Sequence, residues 1–154
     1  MKALLYSSIL AGVLASGGVF AAADSAPAEP KDPVLEKVSA ATARKDWAGA
    51  QAALAPALAA NPQNASYHNL YAYSIRKGAN PDMSLVFKHY NEALRIDPKH
   101  KGAHEYIGEA YLMIGNVAKA KEHLAQLDKL CFFSCSEFND LKKAIAEHEK
   151  TAKR

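Results

Sequence analysis

The sequence predicts an all-α solenoid, three helix–turn–helix units in a row plus a C-terminal capping helix. Three observations carry that expectation. Apolar residues recur at helical spacing from Val34 onward, with no long alternating stretch and no Asn-Gly hairpin signal. Proline and glycine turns punctuate the helices at nearly regular intervals. A set of small and apolar residues also repeats twice, first after 36 residues and then after 34.

The chain has 154 residues, enough for one domain of ordinary size. Its start reads as a targeting segment. Met1-Lys2 is basic, Ala3 to Phe20 is apolar and free of acids, and Ala21-Ala22-Ala23 offers an A-x-A cleavage pattern before Asp24. A signal peptide is expected over 1–23 in place of an uncleaved membrane anchor, since Ser7, Ser8, Ser16, Gly17 and Gly18 interrupt the apolar run, and no membrane span is expected after its removal. The localisation that follows is periplasmic or secreted. Cleavage removes Lys2 and leaves 18 basic against 16 acidic groups, too balanced and too scattered for a nucleic-acid surface. Residues 24–33 (DSAPAEPKDP) hold three prolines and no apolar period, and are expected to be a disordered tether.

The helices follow in order. Val34, Leu35, Val38 and Ala41 give the first apolar stripe, started by Pro33. Asp46-Trp47 opens a second helix that ends at Asn61-Pro62, with Pro56 inside it as an expected kink. Asn64-Ala65-Ser66 starts a third that ends near Lys77, followed by the turn Gly78-Ala79-Asn80-Pro81. Asp82 is placed to cap a fourth, which stops at Asp97-Pro98. A fifth spans Gly102 to Ile114, and a sixth Val117 to Leu130 after the Gly115-Asn116 turn. Ser134 with Glu137 forms a capping-box pattern ahead of a last helix from Ser136 to Lys150, striped by Phe138, Leu141, Ala144 and Ile145.

Self-comparison ties these helices into units. Trp47, Ala50, Leu54, Ala57 and Pro62 are matched 36 residues later by Met83, Val86, Tyr90, Ala93 and Pro98, and 34 residues later again by Val117, Ala120, Leu124 and Leu127. His68, Tyr71, Ala72 and Ile75 match His104, Ile107, Gly108 and Tyr111. The change from 36 to 34 puts two extra residues in the turn around Gly78 to Asp82. These residues resemble the tetratricopeptide repeat, whose pattern is W-x2-L-G-x2-Y, then A-x3-F, then P. The third unit reads His104-x2-Ile107-Gly108-x2-Tyr111 and Ala120-x3-Leu124; the second reads His68-x2-Tyr71-Ala72-x2-Ile75, Val86-x3-Tyr90 and Pro98; the first shows only Ala50-x3-Leu54 and Pro62. The resemblance covers about Val34 to Leu130, with units near 31–64, 65–100 and 101–130, and 131–154 as cysteine turn and cap. The run LAQLDKLCFFSCSEFNDLKKAI is further similar to the tail of small exported bacterial repeat proteins with a C-terminal cysteine pair. Gly108 and Ala72 are expected to be small because the paired helix crosses there.

The resemblance implies a right-handed superhelix, a non-catalytic role, and a groove lined by the first helix of each unit that takes a protein or peptide partner in the bacterial envelope. Helical phase places Asn69, Tyr73 and Arg76 in that groove from the second unit, and Glu105, Glu109 and Leu112 from the third. Some proteins of this class clamp a C-terminal carboxylate with Lys and Asn, and here Glu105 and Glu109 oppose an anion. Enzyme chemistry finds no footing, with no nucleophile elbow, no glycine-rich loop after a strand and no HExxH. No cofactor is expected. The histidines imply no metal site, because His68 pairs with His104 and His89 with His123 at the repeat shifts, and His100 falls in a turn.

Cys131 and Cys135 are the two cysteines of an exported chain, and a disulfide pinning the cap to the last repeat is the leading expectation. So short a loop contributes about 2 kcal/mol by chain entropy. The alternative is a redox or copper-handling accessory protein, with Cys131 and Cys135 as the reactive pair and His123 or His148 as a third ligand. Free-thiol titration of the purified native protein is expected to find almost none; two free thiols would sink the disulfide.

Overall fold

The computed structural model describes residues 31–152, so the expected signal peptide at 1–23 and most of the expected tether at 24–33 lie outside the described residues. The described chain forms seven helices and no strand: α1 (Pro33–Ala43), α2 (Trp47–Ala60), α3 (Ala65–Arg76), α4 (Met83–Ile96), α5 (Lys101–Met113), α6 (Val117–Leu130) and α7 (Ser136–Ala152). No described helix is long and apolar enough to cross a membrane.

Local chemistry starts each helix. Asp32, Asp46, Asn64, Asp82 and Asn116 each accept a hydrogen bond from a backbone N–H of the first turn, as N-caps do. His100 does the same for α5 with Nδ1, at 3.1 Å from the Ala103 N–H. Pro33 occupies the first helical position, where its missing N–H costs nothing. The turn between α5 and α6 uses Gly115 at φ 76°, and the equivalent three-residue turn between α1 and α2 puts Lys45 at φ 58°. Pro56 lies on an exposed side of α2, which continues through it as one helix. The expected capping box before α7 does not form. Ser134 lies two residues short of the helix, and its hydroxyl accepts instead from Asn139 Nδ2 at 2.6 Å.

Packing divides the helices into two layers. α1, α3, α5 and α7 touch one another in succession, whereas α2, α4 and α6 touch only their odd-numbered neighbours. Helices that converge form the inner side of a curve and helices that splay form the outer, so the odd helices line the concave face. The core runs through as three clusters, each spanning one helix pair and the first helix of the next. Val38, Ala50, Leu54 and Ala57 meet Tyr67 of α3; Ala72, Val86 and Tyr90 meet Ile107 and Ala110 of α5; Leu112, Ala120 and Leu127 meet Leu141 and Ile145 of α7.

α7 therefore takes the inner-layer place that follows the third pair. Leu141 is fully buried, and that burial contributes about 1.5–3 kcal/mol. This corrects the expectation for Gly108. The first atoms that a Cβ at residue 108 would meet belong to Leu141 of α7, at 2.6 and 2.8 Å, and not to the paired helix α6. The glycine is small because the cap lies on it. Gly108→Val is expected to destabilise the protein by about 1–3 kcal/mol through overpacking, measured by urea unfolding; unchanged stability would mean that α7 does not press on this position.

Candidate functional site

The concave face is built around one buried cation. Arg76, near the end of α3, is only 6% exposed. Its Nε donates to the Tyr90 hydroxyl at 3.2 Å, and its Nη2 donates to Glu109 Oε2 at 2.6 Å. The guanidinium also lies 5.5 Å from the Tyr73 ring centre and 5.7 Å from that of Tyr106, within cation–π range. Burial pulls its pKa down, and Tyr90 with Glu109 more than reverses this, so it stays charged. Breaking a buried pair of this kind by removing one partner costs about 3–5 kcal/mol.

Aromatic rings extend the site across the units. Tyr73 and Tyr106 lie 4.7 Å apart between centroids, and Trp47 meets Tyr73 edge-on at 5.8 Å. All three rings are half-buried, so each presents surface to solvent. Burial raises the phenol of Tyr73, and burial with Glu105 raises that of Tyr106 to about 12.

Glu105 differs from Glu109. It is 8% exposed and makes no hydrogen bond or ion pair with any described residue. Burial raises its carboxyl pKa to about 8, and the nearby carboxylates of Glu109, Asp140 and Glu137 push in the same direction, against Arg76. Asn69 is buried on the same helix layer, and its Oδ1 is the one side-chain oxygen or nitrogen among the described residues that is fully cut off from solvent and has no partner, whereas the Glu105 carboxyl keeps some solvent contact.

The six residues placed in the groove by helical phase thus have different environments. Tyr73 and Glu109 keep exposed surface, while Asn69, Arg76 and Glu105 are buried. Leu112 turns into the third core cluster beneath α7, because the cap covers that flank of α5. Sequence reasoning missed Tyr106 and Trp47. Tyr106 lies next to Glu105 and Ile107 in the sequence, and counting from Tyr73 along the repeat shift falls three residues beyond it, on Glu109.

The four repeat-equivalent histidines form two matching pairs inside the units. His68 and His89 approach with their Nδ1 atoms 2.9 Å apart, and His104 and His123 with theirs 3.0 Å apart. In each pair the inner histidine donates from Nε2 to a proline carbonyl, Pro62 or Pro98, at 3.0 Å. That contact fixes its tautomer and leaves one shared proton between the Nδ1 atoms. Burial and the partner imidazole lower the pKa of His89 and take that of His123 down to about 4. Among the described residues no three His, Cys, Asp or Glu come together in a way that could hold a metal ion.

Cys131 and Cys135 are joined as a disulfide, with Cα atoms 5.7 Å apart, which ties the end of α6 to the start of α7. Both sulfurs are used in that bond. Phe132 and Phe133 inside the loop are 95% and 85% exposed.

No family model matches the chain, and no curated protein sequence does. Solved structures do. One is the TPR2B domain of yeast Sti1 in complex with pHsp70, at a TM-score of 0.67 and 16% identity, covering 77% of this chain and 94% of that one. Another is the type III secretion translocator chaperone SycD of Yersinia enterocolitica, at a TM-score of 0.62 and 15% identity, covering 80% and 94%. The fold is that of tetratricopeptide-like helical repeats.

Stability is expected to fall on both sides of a weakly acidic optimum. Free histidine titrates near 6.5, so below that pH the unfolded chain takes up protons that folded His123 resists until about 4, and stability drops as pH falls across that window. Glu105 works oppositely: the unfolded chain ionises it at the ordinary glutamate value of 4.5, the folded chain only near 8, so stability declines as pH rises through that range. Thermal midpoints measured from pH 4 to 9 should show both arms, and Glu105→Gln should flatten the alkaline arm while leaving the acid arm. An unchanged alkaline arm in that variant would overturn the assignment to Glu105.

Proposed function

We propose that this tetratricopeptide-like repeat array is a non-catalytic scaffold that holds a protein or peptide partner on its concave face, in the periplasm of a bacterial envelope or an equivalent exported compartment. The carrying observation is the half-exposed run of Trp47, Tyr73 and Tyr106 across the inner layer, held over the buried Arg76–Glu109 pair. Rigid aromatic rings with one wet edge supply contact area at little entropic cost. A buried ion pair beneath them fixes their positions before a partner arrives.

The two structural neighbours support the same class, one being described in complex with pHsp70 and the other as a translocator chaperone. Export is supported by the basic, apolar, small-residue start of the sequence and by the Cys131–Cys135 disulfide. A redox or copper-handling role has less support, because both sulfurs are joined and His123 is engaged with His104.

Partner contact on this reading falls on Tyr73, Tyr106, Trp47 and Glu109, with Asn69, Arg76 and Glu105 beneath them. Leu112 supports the face from the core. In a pull-down from a native envelope extract, Tyr73→Ala with Tyr106→Ala is expected to reduce partner recovery at least tenfold, about 1.4 kcal/mol, with far-ultraviolet circular dichroism unchanged. Full recovery by a folded double variant would refute the placement.

A further inference from the structure

Glu105 is a carboxyl group with nothing to balance it. It is more than nine-tenths buried, has no hydrogen-bond or ion-pair partner among the described residues, and lies on the inner helix α5 facing α7. The one cation near it, Arg76, is already held by Glu109 and Tyr90. The other charges that act on it are all negative: Glu109 one turn along α5, and Glu137 and Asp140 from α7. Half-buried Tyr73 and Tyr106 wall the same region. A carboxylate that burial partly desolvates, without a compensating donor, costs free energy that a docked cation restores.

The geometry points to a cation-binding subsite on the concave face, in which Glu105, flanked by Glu109, Glu137 and Asp140 and walled by Tyr73 and Tyr106, receives an arginine or lysine side chain from an extended partner segment. This rests on the scaffold reading above and specifies the partner's chemistry. The charge pattern selects the occupant: Glu137 and Asp140 of α7 act on Glu105 as like charges, and Arg76, the one cation that acts on it, is already paired with Glu109, which disfavours an acidic or C-terminal carboxylate ligand. The rings add to that choice, since the faces of Tyr73 and Tyr106 attract cations, as their approach to Arg76 shows.

Binding and proton release are coupled at such a site. The cation requires the ionised carboxyl, which is a minor species near neutral pH because burial holds its pKa at about 8, so affinity rises as pH rises. A plain acidic patch of exposed carboxylates, ionised throughout this range, would show no such rise.

The test uses the purified chain and three fluorescein-labelled peptides, each acetylated and amidated: Gly-Arg-Gly-Arg-Gly, the same with citrulline for arginine, and the same with glutamate. Anisotropy at low salt should show the arginine peptide bound, the citrulline peptide at least tenfold weaker, and the glutamate peptide unbound. Affinity for the arginine peptide should rise roughly 25-fold between pH 6.5 and 8.5, as the ionised fraction of a carboxyl with a pKa of about 8 does. Glu105→Gln should weaken binding and reduce that rise to less than twofold, while Glu92→Gln on the outer helix α4 leaves both unchanged. Equal binding of the three peptides, a pH-independent wild type, or an unaltered Glu105→Gln variant would overturn the subsite. Spermidine displacing the arginine peptide at equal or lower concentration would overturn the peptide assignment in favour of a free polyamine. If the arginine peptide fails while the tyrosine double variant still loses its envelope partner, the cation subsite falls and the scaffold reading stands; if the tyrosine variant keeps its partner, the scaffold reading itself has failed.

Discussion

No helix pair in this chain closes its own core, and every other feature depends on that constraint. Each of the three clusters is completed by an apolar side chain from the next inner helix: Tyr67, then Ile107 and Ala110, then Leu141 and Ile145. Two amphipathic helices packed as a hairpin still leave one apolar flank exposed, so a lone unit has too little buried area to offset its ordering entropy. The array therefore grows in one direction and needs a stop. α7 is that stop, apolar on the flank that covers α5 and charged elsewhere, and the disulfide holds its start against the end of α6.

The same constraint creates the candidate site. Because successive inner helices must touch, their side chains at the concave edge are brought within contact distance across units that are far apart in sequence. Arg76 and Glu109 are 33 residues apart and meet at 2.6 Å. Tyr73 and Tyr106, also separated by nearly one repeat, meet ring to ring. The groove is thus a product of repeat geometry, and its chemistry is set by which residues occupy the few positions that lie on the seam. Histidine pairs inside the units do a different job. They join the inner and outer helix of one unit, recur with the same geometry in the next, and follow the packing period.

Much of the fold was legible in the sequence. The helix boundaries fall within a residue or two of those read from caps and turns, because Asp46, Asn64, Asp82 and Asn116 announce helix starts through local chemistry alone. Contacts between units were not legible in the same way. Gly108 reads as a small residue at a crossing, but which helix crosses depends on α7 docking from outside the repeat. Leu112 reads as a groove residue by phase and is covered for the same reason. Ser134 and Glu137 match a capping box, yet the disulfide loop delays the helix until Ser136. Burial of Arg76 was invisible because a cation near a helix end ordinarily faces water, and only the meeting of Tyr90, Tyr106 and Glu109 around it makes burial affordable.

The electrostatics of the concave face then follow from one assignment. Once Glu109 is committed to Arg76, Glu105 has no cation left within reach and becomes the site's unbalanced charge. Tyr90 accepts from the arginine's Nε, and Glu109 accepts from its Nη2. The proposed preference for a cationic segment thus traces to core packing, since Arg76 is held by Glu109 and by Tyr90 of the outer helix while Glu105 has no ion-pair partner among the described residues.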